Sequence, residues 1–172
     1  MRDSIGSALL LYIVIIVVGI VGATVIASNM YTKAYRVKNS IIEIIDKYYS
    51  THSADIGSTP DCFDHNDCIN EINKTVDEMK YTVAGDTSVC DSTSVKKKIQ
   101  KDEKNLEFIY PREPNKFRGY CIFKKTLDDT NLNKYEYYYV VVTFSRLNVG
   151  VSNVGTIFKR PVSGETKIYY LY

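Results

Sequence analysis

Tryptophan is absent from this 172-residue chain, and histidine occurs only twice, as His52 and His65. Both imidazoles fall in polar, loop-like sequence, which leaves little from which to build a nucleophile, a base and an orienting group within mutual reach. No Gly-x-Ser-x-Gly elbow, His-Glu-x-x-His pair or phosphate-cradling glycine loop occurs. The Thr-Leu-x-Thr-Cys strand end of a membrane-anchored cysteine transpeptidase is missing too, since Cys121 lies mid-strand in Gly-Tyr-Cys-Ile-Phe. No isolated pair of carboxylates suggests acid–base work. A net charge of +2 gives no basic field for a nucleic acid. Neither an internal repeat nor a low-complexity tract is present. These absences predict a protein that is not an enzyme, with no catalytic residue, cofactor or small-molecule substrate.

A further absence is local. No charged residue lies between Ala8 and Ala27, and no Pro or Gly between Gly22 and Gly57. The first gap is a run of about 20 apolar or small residues, the length a helix needs to cross a bilayer core of about 30 Å. With only Arg2 and Asp3 before it and no Ala-x-Ala-like site after it, it predicts a retained signal anchor. The second gap means that nothing forces the helix to stop at the membrane surface. Met30, Ala34, Val37, Ile41, Ile44 and Tyr48 continue it as an a/d stripe on one face, with Lys33, Arg36, Lys38, Asn39, Glu43 and Lys47 elsewhere. Within the span, Gly19, Ala23 and Ala27 repeat every four residues, a face that lets helix backbones approach closely in lipid. The expected organisation is residues 1–28 as tail and transmembrane helix, 29–50 as its amphipathic extension, and 51–172 as an α+β head.

The remaining chain of about 120 residues is enough for one compact domain. Its 15 tyrosines suit half-buried sheet faces. After a loop over Ser50–Asp61, Ile69, Ile72, Val76 and Met79 predict a helix that Asp64, Asn66 or Asp67 could cap. Asn73-Lys74-Thr75 fits a glycosylation sequon but falls inside that helix. Tyr81–Ala84 is a short strand candidate, and Ser88–Asn105 a solvated, lysine-rich helix or loop. Further candidates are Leu106–Tyr110, Arg118–Lys125, Tyr135–Phe144, Thr156–Arg160 and Thr166–Leu171, joined as an antiparallel meander. The longest, Tyr135–Phe144, lacks clean alternation and reads as a central strand covered on both faces, one cover being the rod's apolar stripe.

All four cysteines, Cys62, Cys68, Cys90 and Cys121, lie beyond the span. An even number in a tethered domain suggests disulfides and an oxidising compartment. The preferred pairing is Cys62–Cys68 with Cys90–Cys121. Zinc on Cys62, His65, Cys68 and a further cysteine, or free thiols, are the alternatives. The cations after the span argue, by the positive-inside rule, for a cytoplasmic head. The cysteines argue for an extracytoplasmic one, and we follow the cysteines.

A long N-terminal helix, half embedded and half amphipathic, carrying a disulfide-bearing antiparallel sheet, resembles the type IV pilin-like architecture. Gly6-Ser7-Ala8-Leu9-Leu10-Leu11-Tyr12 is similar to the Gly-x-x-Ala-x-Val-Glu-Phe opening of the TadE/TadF-like pseudopilins, with Leu11 at the position of their Glu and Tyr12 at that of their Phe. The resemblance implies apolar half-helices bundled in a filament core with sheet heads facing outward. The expectation is therefore a single-pass, pilin-like structural protein at the cell surface. It would assemble with itself or with related subunits through Gly19, Ala23, Ala27 and the Met30–Tyr48 stripe, without nucleic acid. A membrane-tethered sensor or partner-binding domain is the alternative.

Overall fold

The computed structural model describes residues 2–52, 61–81, 106–111, 117–128, 135–145 and 160–171, together with positions 83, 90, 95 and 99. The fold is α+β: a long N-terminal helix docked on an antiparallel sheet. Helix α1 runs unbroken over Arg2–His52, 51 residues or about 77 Å. Its continuity follows from the sequence. Gly19 and Gly22 lie in the apolar run, and no helix breaker stands between there and Gly57. Ser28–Thr32 is helical throughout, so this stretch carries no hinge, and the hydroxyl of Thr32 folds back to donate to the Ser28 carbonyl at 2.9 Å.

A short 3₁₀ turn, Cys62–Asp64, leads into α2, Asn66–Glu78. The strands are β1 (Leu106–Tyr110), β2 (Tyr120–Asp128), β3 (Tyr135–Ser145), β4 (Arg160–Glu165) and β5 (Tyr169–Leu171). They pair in the order β1-β2-β3-β4, all antiparallel, as the expected meander does. β5 also pairs with β3, through Tyr135↔Leu171 to Tyr137↔Tyr169, while β4 covers Val140 to Ser145 of the same strand. Residues 160–171 therefore act as one interrupted edge. At the interruption, the Thr166 amide donates to the Tyr139 carbonyl at 3.0 Å and the Thr166 hydroxyl accepts from the Tyr139 amide at 3.0 Å.

Strand β3 is covered on both faces. Tyr137, Tyr139, Val141 and Thr143 turn towards α1 and α2, and Val140, Val142 and Phe144 turn towards Cys90, Val95 and Cys121. The period of two in side-chain direction is preserved while every position from Tyr139 to Ser145 is buried, which is why polar alternation is lost there. On the helix side the core joins Ala34, Val37, Ile41, Ile44 and Ile45 of α1 to Ile72 and Val76 of α2 and to Ile122, Val141 and Val162 of the sheet.

Several boundaries differ from the sequence expectation. The expected strand Thr156–Arg160 is observed only from Arg160 onward; residues 156–159 lie outside the described positions. The strand that is observed there, Arg160–Glu165, contains Pro161 and Gly164, which read as a turn. An edge strand tolerates a residue without an N–H, and β4 is such an edge. Thr166–Leu171 narrows to Tyr169–Leu171 because Thr166 joins β3 through its side chain instead of continuing the ladder. Arg118–Lys125 begins two residues later and extends to Asp128. Two of the four positions in Tyr81–Ala84 and nearly all of Ser88–Asn105, including its lysines, lie outside the described residues. None of Asp64, Asn66 or Asp67 caps α2; the capping position is His65, whose side chain makes no cap bond. Asp61 caps the preceding 3₁₀ turn, accepting from the Phe63 amide at 3.1 Å.

Candidate functional site

The surface that distinguishes this chain is α1 itself, and the helix has two unlike halves. Residues 8–26 are exposed throughout, including Leu9, Ile13, Ile16, Ile20 and Val25. This stretch is long and apolar enough to cross a membrane. Beyond it, Ala34, Val37 and Ile41 are fully buried by the sheet. At about 100° per residue, Gly19, Ala23 and Ala27 fall on the same side of the helix as Ala34, Val37 and Ile41. The small-residue face thus lies directly below the docked face, and a Cβ placed at Gly19 would meet nothing within 4 Å.

Met30 shares that side but is 39% exposed, so it does not join the packed stripe. The head begins level with Ala34, where Thr143 Oγ1 donates to the Ala34 carbonyl at 2.9 Å, and Met30 projects one turn below it. Tyr48 is only half-buried at the other end. The contact instead takes in Ile45 and Lys38, giving the spacing 34, 37, 38, 41, 44, 45, a wider band than an a/d seam. Lys38 is 7% exposed, its stem lying against β4 while Nζ stands 4.0 Å above the Tyr35 ring. Glycine makes room for it: a Cβ at Gly164 would come within 2.8 Å of Lys38 Cδ and 2.9 Å of Ile42 Cδ1.

Polar groups fasten the same face. Lys33 Nζ donates to the Lys80 carbonyl at 2.8 Å, tying α1 to the end of α2. Asp46 accepts from the Lys167 amide at 3.3 Å and from the Tyr169 hydroxyl, tying α1 to the gap between β4 and β5. Tyr49 packs against Tyr169 with tilted rings and centroids 4.1 Å apart. Further out, Asp61 accepts from Lys124 Nζ at 2.9 Å, from the Tyr139 hydroxyl and from the Phe63 amide. Burial pushes its carboxyl up, but these three donors outweigh that and hold it below the ordinary value of 3.8. Burial raises the phenols of Tyr81, Tyr120, Tyr137, Tyr139 and Tyr169 above 10.0, so this face of the sheet keeps its hydroxyls protonated.

The cysteines pair at disulfide distance as Cys62–Cys68, with Cα atoms 5.4 Å apart, and Cys90–Cys121, at 5.9 Å. The first closes the 3₁₀ turn onto α2; the second lies on the sheet face away from α1. Both thiols of the Cys-x2-His-x2-Cys pattern are thereby used. Among the described residues no group of three His, Cys, Asp or Glu side chains is placed to hold a metal. The two histidines, far apart in polar sequence, meet around one ring: His52 stacks on Tyr48 at 4.2 Å and His65 lies 5.9 Å from it. Asn73 of the sequon is engaged, donating to the Tyr110 hydroxyl at 3.1 Å and accepting from that of Tyr120 at 3.0 Å.

Gly119 is the one described glycine whose backbone demands the residue type, with φ of 88° and a built Cβ only 2.7 Å from Val83 Cβ. It allows β2 to start under Tyr81, whose hydroxyl donates to the Gly119 carbonyl at 3.2 Å and to that of Phe144. A groove of about 450 Å³ runs along α1, lined by Asn39, Ile42, Glu43, Asp46, Lys47, Ser50 and Lys167. Sequence reading missed this groove, the Asp61 cluster and the Lys33–Lys80 tie. Only the first cap, an Asp two residues before Phe63, had a local signal. Compared with known proteins, the chain matches no family model, no curated protein and no solved structure.

Proposed function

We propose that this chain is a single-pass, membrane-anchored structural subunit of the pilin-like kind, working in a surface filament or secretion apparatus and assembling through α1. The observation that carries the reading is the division of one unbroken helix. Its first half offers an uncovered apolar surface with a small-residue face, and its second half is built into a folded head. Packing rather than the hydrophobic effect associates helices in lipid, and Gly19, Ala23 and Ala27 supply the close approach it needs. Among the described residues, the sheet face towards α1 is filled by tyrosine and aliphatic side chains, and the groove beside it is lined mainly by charged and polar groups. That supports assembly over ligand sensing, which calls for an enclosed apolar pocket with a few converging polar groups.

The head stands outside the cytoplasm in this reading. Cysteines paired at disulfide distance support that placement. The cations after the span weigh less against it, because Lys33 and Lys38 both have positions in the head's own packing. Gly19→Ile combined with Ala23→Ile should abolish self-association of the full chain in a membrane reporter assay. Unchanged association would defeat the assembly reading. Thiol labelling in intact cells, with and without a membrane-permeant reductant, reads the topology separately; free cysteines reachable only from the cytoplasm would reverse the placement.

A further inference from the structure

Among the described residues, the lower rim of the head carries positive charge with no acid to answer it. α1 holds no Asp or Glu between Asp3 and Glu43. Lys33, Arg36 and Lys80 form no ion pair among the described residues; Lys33 Nζ is spent on a carbonyl, which leaves its charge uncompensated. Arg36 and Lys80 are exposed. The acids nearest in the chain are already matched, Asp77 by Arg118 and Glu78 by Lys74 at 4.0 Å.

Helix geometry fixes where these charges lie. α2 runs antiparallel to the docked half of α1, with Glu71 beside Lys47 and Lys80 beside Lys33, so its last turn points back towards the span. Lys33 and Arg36 stand six and nine residues beyond Ala27, about 9 and 14 Å along the axis. Headgroups occupy roughly the first 5–8 Å outside the hydrocarbon. Side chains on a helix tilt towards its N-terminus, here towards the bilayer, and those of Lys and Arg are long enough to close the remaining gap. Tyr31 and Tyr35, both about half-exposed, lie at the same level, where aromatic rings settle at a membrane interface.

Lys80 adds an independent observation. It follows α2 with φ of 50°, a left-handed conformation. The Tyr81 amide donates to the Val76 carbonyl at 3.2 Å and the Lys80 amide to that of Asp77 at 2.9 Å, the pattern that closes a helix over a left-handed residue. That position ordinarily takes Gly or Asn, because a Cβ is strained there. An exposed lysine thus stands where the fold would prefer glycine, in the turn of α2 nearest the apolar half of α1.

We infer that Lys33, Arg36 and Lys80 form a basic collar that takes the anionic phospholipid headgroups of the leaflet from which α1 emerges. The inference rests on the membrane-spanning reading of α1. It assigns the collar to lipid phosphate, and it does not depend on which side of the membrane the head occupies.

The test uses the full chain incorporated into vesicles of phosphatidylcholine alone, or of equal parts phosphatidylcholine and phosphatidylglycerol. After gentle detergent release, lipid adducts are counted by native mass spectrometry. The wild-type chain should retain phosphatidylglycerol in preference to phosphatidylcholine. Arg36→Gln and Lys80→Gly should each lower that preference about fivefold, and added salt should lower it further. Lys80→Gly gives the sharper result, because removing the strained Cβ should raise the thermal midpoint of the head while the lipid preference falls. A preference unchanged in the double variant, with normal incorporation, overturns the collar and leaves the span standing. Failure of the wild-type chain to enter phosphatidylcholine vesicles overturns the span, and the collar with it.

Discussion

The two halves of α1 share a helix, a face and nearly the same apolar chemistry, yet only one is covered. Ile13, Ile16 and Ile20 are bare, whereas Ile41, Ile44 and Ile45 are buried against tyrosines and valines of the sheet. Hydrophobicity does not separate them; the spacing of polar residues does. The lower half is apolar all round, which water will not tolerate but lipid will. The upper half confines its apolar positions to a band and answers it with one sheet. A single continuous element therefore has one half covered by the sheet and one half long and apolar enough to cross a membrane. Its stability in the head should be measurable apart from its behaviour in the membrane.

The largest expected contrast comes from matched truncations in the two halves. Ile41→Ala removes a fully buried side chain between α1 and the sheet, and should destabilise the head by about 2–5 kcal/mol. Ile20→Ala removes the same atoms from an uncovered site and should leave the head's denaturant midpoint unchanged, measured on detergent-solubilised chain by near-ultraviolet circular dichroism. Equal losses from both substitutions would mean that the halves are not energetically separate, and the comparison would fail.

The second test moves from the helix to the cluster that holds the 3₁₀ turn against the sheet. Asp61 is ionised, shielded and bonded to Lys124, Tyr139 and the Phe63 amide. Its folded-state carboxyl titrates below the ordinary 3.8, so the stability it contributes is fully present above that value and lost as pH falls through the depressed one. Asp61→Asn should cost about 1.5–3 kcal/mol near neutral pH, the range for hydrogen bonds to a charged group. The gap between variant and wild type should close in acid. A gap that stays constant down to pH 3 would show that packing of Phe63, not the charge, carries the contribution. The apolar run from Ala8 to Ala27 contains no carboxylate or imidazole and should not respond to acid.

How much of this was legible in the chain depends on whether the deciding interaction was local. The unbroken rod, its small-residue face and the band from Ala34 to Ile44 follow from period and from missing helix breakers. Where the head begins does not, which is why Met30 reads as packed and is not. Lys38 reads as polar because composition cannot show that Gly164, 126 positions later, leaves room for its stem. β4 was hidden by Pro161 and Gly164, residues that mark turns unless the strand is known to be an edge. The two-sided burial of β3 was readable from lost alternation, and the cysteine pairing from proximity in sequence for one pair. Asp61 with Lys124, 63 positions apart, left no trace before the fold brought them together.

The smallest effect probes the boundary between the two halves. Thr143 reaches from β3 to the carbonyl of Ala34, the first fully buried residue of α1, and its hydroxyl is itself buried. In an α-helix that carbonyl already accepts from the amide four residues on, so losing the Thr143 bond does not leave it unsatisfied. Thr143→Val keeps the shape of the side chain and removes only the donor. The expected cost is therefore close to that of one net hydrogen bond, about 1 kcal/mol, without the added penalty of an orphaned group. Amide hydrogen exchange should locate it. Protection should fall around Ala34–Lys38 and remain unaltered around Ile44–Tyr49, because the upper turns keep their contacts with Tyr169 and α2. Loss of protection along the whole docked half would mean that the sheet grips α1 as one cooperative unit. The boundary at Ala34 would then mark where cover starts without marking a separate point of attachment.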